Sequence, residues 1–155
     1  MSAHRGMRGR TPASALALVA GLTVVLGGCG GSPITATRLA DSVAPTFANL
    51  YVRQQAERGK PGVSAADLGV RATCARTDPT TTDHGAGSDW VCAVQWLVAG
   101  PGTPVGASYD VSVQPNGCYT ADGPASVVGQ QTLVGADGST VVNPLWQFNS
   151  CFDTT

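Results

Sequence analysis

The 155-residue chain has little charge: 12% of its residues are Asp, Glu, Lys or Arg, with one lysine (Lys60) and one glutamate (Glu57). Nine basic residues against ten acidic ones exclude both a strongly basic nucleic-acid binder and an acidic disordered tail. Without a second lysine there is no glycine loop ending in Lys-Ser/Thr, so no phosphate cradle of that type. No Gly-x-Ser-x-Gly elbow is present, which removes the usual serine nucleophile. Glu57 sits in a predicted helix among charges, a poor place for half of a glycosidase carboxylate pair. Only two histidines occur, His4 and His84. At this length the chain fits one domain.

What is present begins with an uneven front. Arg5, Arg8 and Arg10 precede an apolar run from Ala13 to Leu26, and no acidic residue occurs before Asp41. A basic head followed by about 7–15 apolar residues is the layout of a secretory signal, and the run is short of the ~20 residues a membrane span needs. It ends in Leu26-Gly27-Gly28-Cys29, while the rival Ala-x-Ala cleavage pattern is absent between Leu26 and Thr37. The tetrapeptide resembles the lipobox of bacterial lipoproteins cut by signal peptidase II. That resemblance implies that residues 1–28 are removed, that a diacylglycerol is attached to the thiol of Cys29, and that Cys29 becomes the lipidated first residue. Its acyl chains would then be the membrane partner, holding the protein on the outer, extracytoplasmic face of the cell membrane. Residues 29–36, with Gly30-Gly31-Ser32-Pro33, read as a flexible tether, and 37–155 as a single globular domain. In style (Arg over Lys, much Ala, Gly, Thr and Val, a Gly117-Cys118-Tyr119 hairpin) the chain resembles small actinobacterial lipoproteins, and no function comes with that likeness.

From Cys29 on, six basic residues face ten acidic ones, a balance that disfavours nucleic acid as a partner. Four further cysteines remain: Cys74, Cys92, Cys118 and Cys151. An even number in an exported chain predicts two disulfides, with three connectivities open. No pair has the close spacing of a zinc knuckle, so no metal site is expected. Val70–Thr77 and Asp89–Val98 are strand-like and flank the polar stretch Asp78–Ser88. A hairpin centred on Asp83 sets Cys74 opposite Cys92, which predicts Cys74–Cys92 and, with the remainder, Cys118–Cys151.

Leu39, Val43, Phe47, Leu50 and Gln54 recur at helical spacing, predicting a helix over Thr37–Arg58 with Thr37 as its cap and Gly59 at its end. Pro45 predicts a kink or a second start. Beyond Val70 the period becomes two. Trp90, Cys92, Val94, Trp96 and Val98 share one face; Val105, Ala107, Tyr109, Val111 and Val113 share the next. Pro115-Asn116-Gly117 and Asp137-Gly138 mark hairpins. The expected fold class is α+β: an N-terminal helix packed on an antiparallel sheet of about five or six strands, with two disulfides.

For chemistry, His84 with Asp78, Asp83 and Asp89 nearby is the only candidate constellation. Flanking glycines predict a mobile loop, which is poor support for catalysis. No catalytic residue and no cofactor is therefore expected. Alternating aromatics read as core, while Trp146 and Phe148, after Asn143-Pro144, are the candidates for a ligand surface. The reading is a non-catalytic binding or scaffolding module with an envelope protein or polymer as partner. The alternative is a small hydrolase-like enzyme using the His84 loop.

Overall fold

A computed structural model describes residues 33–98 and 104–152. Helix α1 (Ala36–Glu57) is followed by strands β1 (Arg71–Arg76), β2 (Gly87–Leu97), β3 (Pro104–Val113) and β4 (Cys118–Asp122). A single helical turn α2 (Ala125–Val128) comes next, then strands β5 (Thr132–Val134), β6 (Thr140–Val142) and β7 (Gln147–Cys151). The main sheet is antiparallel in the order β1-β2-β3-β4-β7, and β5 and β6 form a separate hairpin. One helix on one sheet face is the expected α+β arrangement.

The alternation along the strands explains that layering. Trp90, Cys92, Val94 and Trp96 are buried in β2, and Ala107, Tyr109, Val111 and Val113 in β3, while Ala93, Gln95, Ser108 and Asp110 face solvent. Helix α1 covers the apolar side with Leu39, Val43 and Phe47, each fully buried. Phe47 packs 4.7 Å from Trp96 and edge-on to Tyr109 at 6.0 Å. Aromatic pairs of this kind contribute about 0.5–1.5 kcal/mol beyond their buried area.

Three local expectations are corrected. Thr35, not Thr37, caps α1: its extended backbone lets Oγ1 accept the Arg38 N–H at 3.3 Å. Ile34 is buried and Ala36 opens the helix, so residues 34–36 belong to the domain rather than to a tether. Pro45 starts no second helix and lies inside α1. It is exposed, and Thr46 Oγ1 donates to the Ser42 carbonyl at 2.8 Å in the turn where proline has no N–H to offer. The helix stops at Gly59, whose φ of +74° accepts the left-handed turn.

Tyr109 ties β3 to the segment leading into β7, donating its hydroxyl to the Leu145 carbonyl at 2.9 Å. Burial pushes its phenol well above the usual tyrosine range. The unfolded chain ionises near pH 10 while the folded one resists. Stability present below about pH 10 is therefore lost as pH rises beyond it. Tyr109→Phe is expected to cost about 1 kcal/mol near pH 7, and its deficit against the native chain should shrink by about pH 11. Urea midpoints at the two pH values check this; a gap that stays constant would refute it.

Candidate functional site

The two disulfides are the first site features the fold settles. Cys74 is the register partner of Cys92, and Cys118 of Cys151. Their Cα atoms lie 4.1 Å and 3.9 Å apart, so both bridges staple directly opposed strand residues. They differ in setting. Cys74 and Cys92 are in the core, whereas Cys118 is half-buried and Cys151 exposed. Cys29 lies outside the described residues, as does most of the loop expected between β2 and β3.

The His84 loop is pinned, not loose. Arg76, whose side chain is 5% exposed, reaches from β1 under the loop. Its guanidinium pairs with Asp89. Nη2 donates to the carbonyls of His84 and Gly85 at 2.8 Å and of Ala86 at 3.2 Å. The same group lies over the Trp90 ring, 4.2 Å from its centroid, and the indole N–H donates to the Gly85 carbonyl at 3.2 Å. Gly87 is required here, because a β-carbon would collide with the guanidinium and with the Asp89 carboxylate. On the other side the loop pairs with the chain entering α1, through Gly85 N–H to Ile34 O at 2.9 Å and Ala36 N–H to Asp83 O at 3.2 Å. Sequence spacing alone misses this clamp, since Arg76 carries no mark that separates it from a surface arginine.

The clamp orders the backbone around His84. His84 is exposed, and its hydrogen bonds among the described residues are made by its backbone. Each neighbouring carboxylate is engaged elsewhere. Asp78 accepts from the hydroxyl and amide of Thr80, which lower its pKa. Asp83 accepts from the Arg76 N–H at 3.5 Å, and Asp89 holds the guanidinium. Among the described residues no three His, Cys, Asp or Glu side chains converge as metal ligands would.

Phe148 is 6% exposed and packs 5.2 Å from Tyr109 in the core, which removes it from any ligand surface. Alternation along β7 turns it inward, a register invisible until β7 is paired with β4. Trp146 is half-buried and bonds through its backbone to Asn143 and Gly123.

At the far end of α1 a buried polar knot takes the place of apolar packing. Gln54 Nε2 donates to Asn143 Oδ1 at 2.7 Å, and Asn143 Nδ2 donates to the carbonyls of Val128 and Gln130 at 2.9 Å. Leu145 N–H completes the set on Asn143 Oδ1 at 3.1 Å. Satisfied on all sides, this network fixes α2 and the β5–β6 hairpin to the helix. Beside it, Arg58, Trp96 and α2 border a cleft of about 270 Å³ whose lining among the described residues has no carboxylate and no histidine.

No family model, no curated protein and no solved structure matches this chain. The functional reading therefore rests on its own residues. Two further depressions border α1, one of about 410 Å³ against Ala65, Ala66, Gly69 and Val70, the other of about 220 Å³ against Ala72, Thr73 and Cys74 of β1. Alanine is the commonest residue in their walls, beside the polar Thr37, Asp41, Asn49 and Thr73.

Proposed function

We propose that this protein is a lipid-anchored, extracytoplasmic binding or scaffolding module of the cell envelope, without catalytic activity. The observation that carries the reading is Leu26-Gly27-Gly28-Cys29 at the end of a basic and then apolar leader. Two disulfides support it, because such bonds persist in oxidising compartments outside the cytosol. Two or more acyl chains on Cys29 would hold the domain at the membrane surface, each buried CH₂ contributing about 0.8 kcal/mol. The non-catalytic half of the reading draws on the His84 loop, whose carboxylates are already engaged by Arg76 and Thr80.

Metabolic labelling with a fatty acid tests the anchor in a bacterial host that processes lipoproteins. The native chain should take up label and partition with membranes, and Cys29→Ala should lose both. Label retained on the Cys29→Ala protein would refute the assignment.

A further inference from the structure

In the cleft beside the Gln54–Asn143 knot, hydrogen-bond donors stand open while nearby acceptors are spent. Tyr51, Gln55 and Arg58 line it from one face of the helix end, at spacings of four and three. Arg58 is exposed and has no ion pair among the described residues. Its guanidinium lies against Gly129, where a β-carbon would stand 3.5 Å from Nη2. The Tyr51 hydroxyl has no hydrogen-bond partner among the described residues. Nor has the indole N–H of Trp96, which is buried beneath the cleft. The acceptors on the same walls are occupied. The Val128 carbonyl accepts from both Gln54 and Asn143, and the Leu145 carbonyl from Tyr109.

Apolar surface is left open at the same place. Of the five large apolar residues exposed among the described ones, Val98 and Val127 both line this cleft. Ligand sites combine apolar walls with a few polar groups that fix orientation, and a volume just below their usual ~300 Å³ lower bound suits a small occupant. Charge narrows it further. Glu57, next to Arg58, is already paired with Arg53 at 2.9 Å. One uncompensated guanidinium calls for one negative charge, and a carboxylate matches its planar fork. A phosphate monoester would bring nearly two, leaving one unpaired beside the valines. The cleft also stands about 33 Å along the 22-residue helix from the end nearer Cys29, which suits a dissolved ligand rather than a bilayer lipid.

We propose that this cleft binds a small organic acid, one carboxylate on a compact apolar body. The carboxylate accepts from the Arg58 guanidinium and the Tyr51 hydroxyl, and the body packs between Val98 and Val127 above Trp96. The proposal rests on the binding-module reading and gives that module a ligand class.

The test uses the full-length, unacylated chain in phosphatidylcholine nanodiscs, with 5-fluorotryptophan at its three tryptophan positions. Cys29 labelling is a separate measurement, so the anchor can stand or fall without the cleft. The probe is 3-phenylpropanoate, compared with its amide, with propanoate and with 2-phenylethyl phosphate. At millimolar concentration the acid should shift the Trp96 fluorine signal saturably and leave that of Trp90 in place. The amide should bind about threefold to tenfold more weakly. Propanoate, without the apolar body, should not saturate, and the phosphate should bind no more tightly than the acid. Arg58→Gln should abolish the preference for acid over amide, and Tyr51→Phe should weaken the acid about threefold, each with the Trp90 signal unchanged. Equal binding of acid and amide, tighter binding of the phosphate, a shift centred on Trp90 or Trp146, or no saturable shift would overturn the proposal. So would an unchanged preference for the acid in Arg58→Gln.

Discussion

Replacing Cys118 and Cys151 together with alanine is expected to lower unfolding stability by about 4 kcal/mol. The bridge closes a 33-residue separation, and the chain-entropy model gives more for a longer loop than for the 18 residues between Cys74 and Cys92. Everything between Cys118 and Cys151 that is not in the main sheet, from α2 through the β5–β6 hairpin, hangs from this loop. Its removal also leaves β7 held by backbone pairing to β4 alone on that side. Exposure adds an order of events. A mild thiol reaches Cys151 at the surface before Cys74 or Cys92, which are 6% and 0% exposed. Partial reduction followed by alkylation and peptide mapping should label Cys118 and Cys151 first, and urea unfolding reads the energy. Early labelling of Cys92 would contradict the argument.

The second large effect is expected at Arg76. Arg76→Ala removes an ion pair, three carbonyl hydrogen bonds and a cation–π contact from one buried position. Breaking a buried pair costs about 3–5 kcal/mol. Asp89 is 41% exposed and can be rehydrated, which places the expected loss at the lower end, about 3 kcal/mol. Arg76→Lys should recover only part of it, because an ammonium cannot hold Asp89 and a fan of carbonyls while stacking on Trp90. Denaturant melts with Trp fluorescence measure the loss, and limited proteolysis should cut 78–86 faster in the variant. Equal stability of Arg76→Ala and the native chain would show that the clamp is idle.

The strands were legible because β2 and β3 bury one face and wet the other, so Trp90, Cys92, Val94 and Trp96 fall at period two. The disulfide pairing was legible for a related reason: a hairpin near Asp83 fixes which residues stand opposite, and Cys74 meets Cys92 in the register. What escaped depends on contacts that spacing does not carry. Gln54 reads as a blemish on an apolar helix face until Asn143, 89 residues away, turns out to share its hydrogen bonds. Phe148 resembles a surface aromatic until β7 pairs with β4. The His84 loop reads as mobile from its glycines, yet three of its carbonyls converge on one arginine.

The short pairing of Ile34–Ala36 with Asp83–Gly85 has a mechanical consequence. Tension pulling on the chain ahead of Pro33 is delivered to the tip of the β1–β2 hairpin before it reaches the helix. Those few bonds lie near the Arg76 clamp, and behind it the covalent link from Cys74 to Cys92 prevents the two strands from parting. Once those bonds open, the pull passes along the backbone into the first turn of α1, so the hairpin tip shields the helix only while residues 34–36 stay paired.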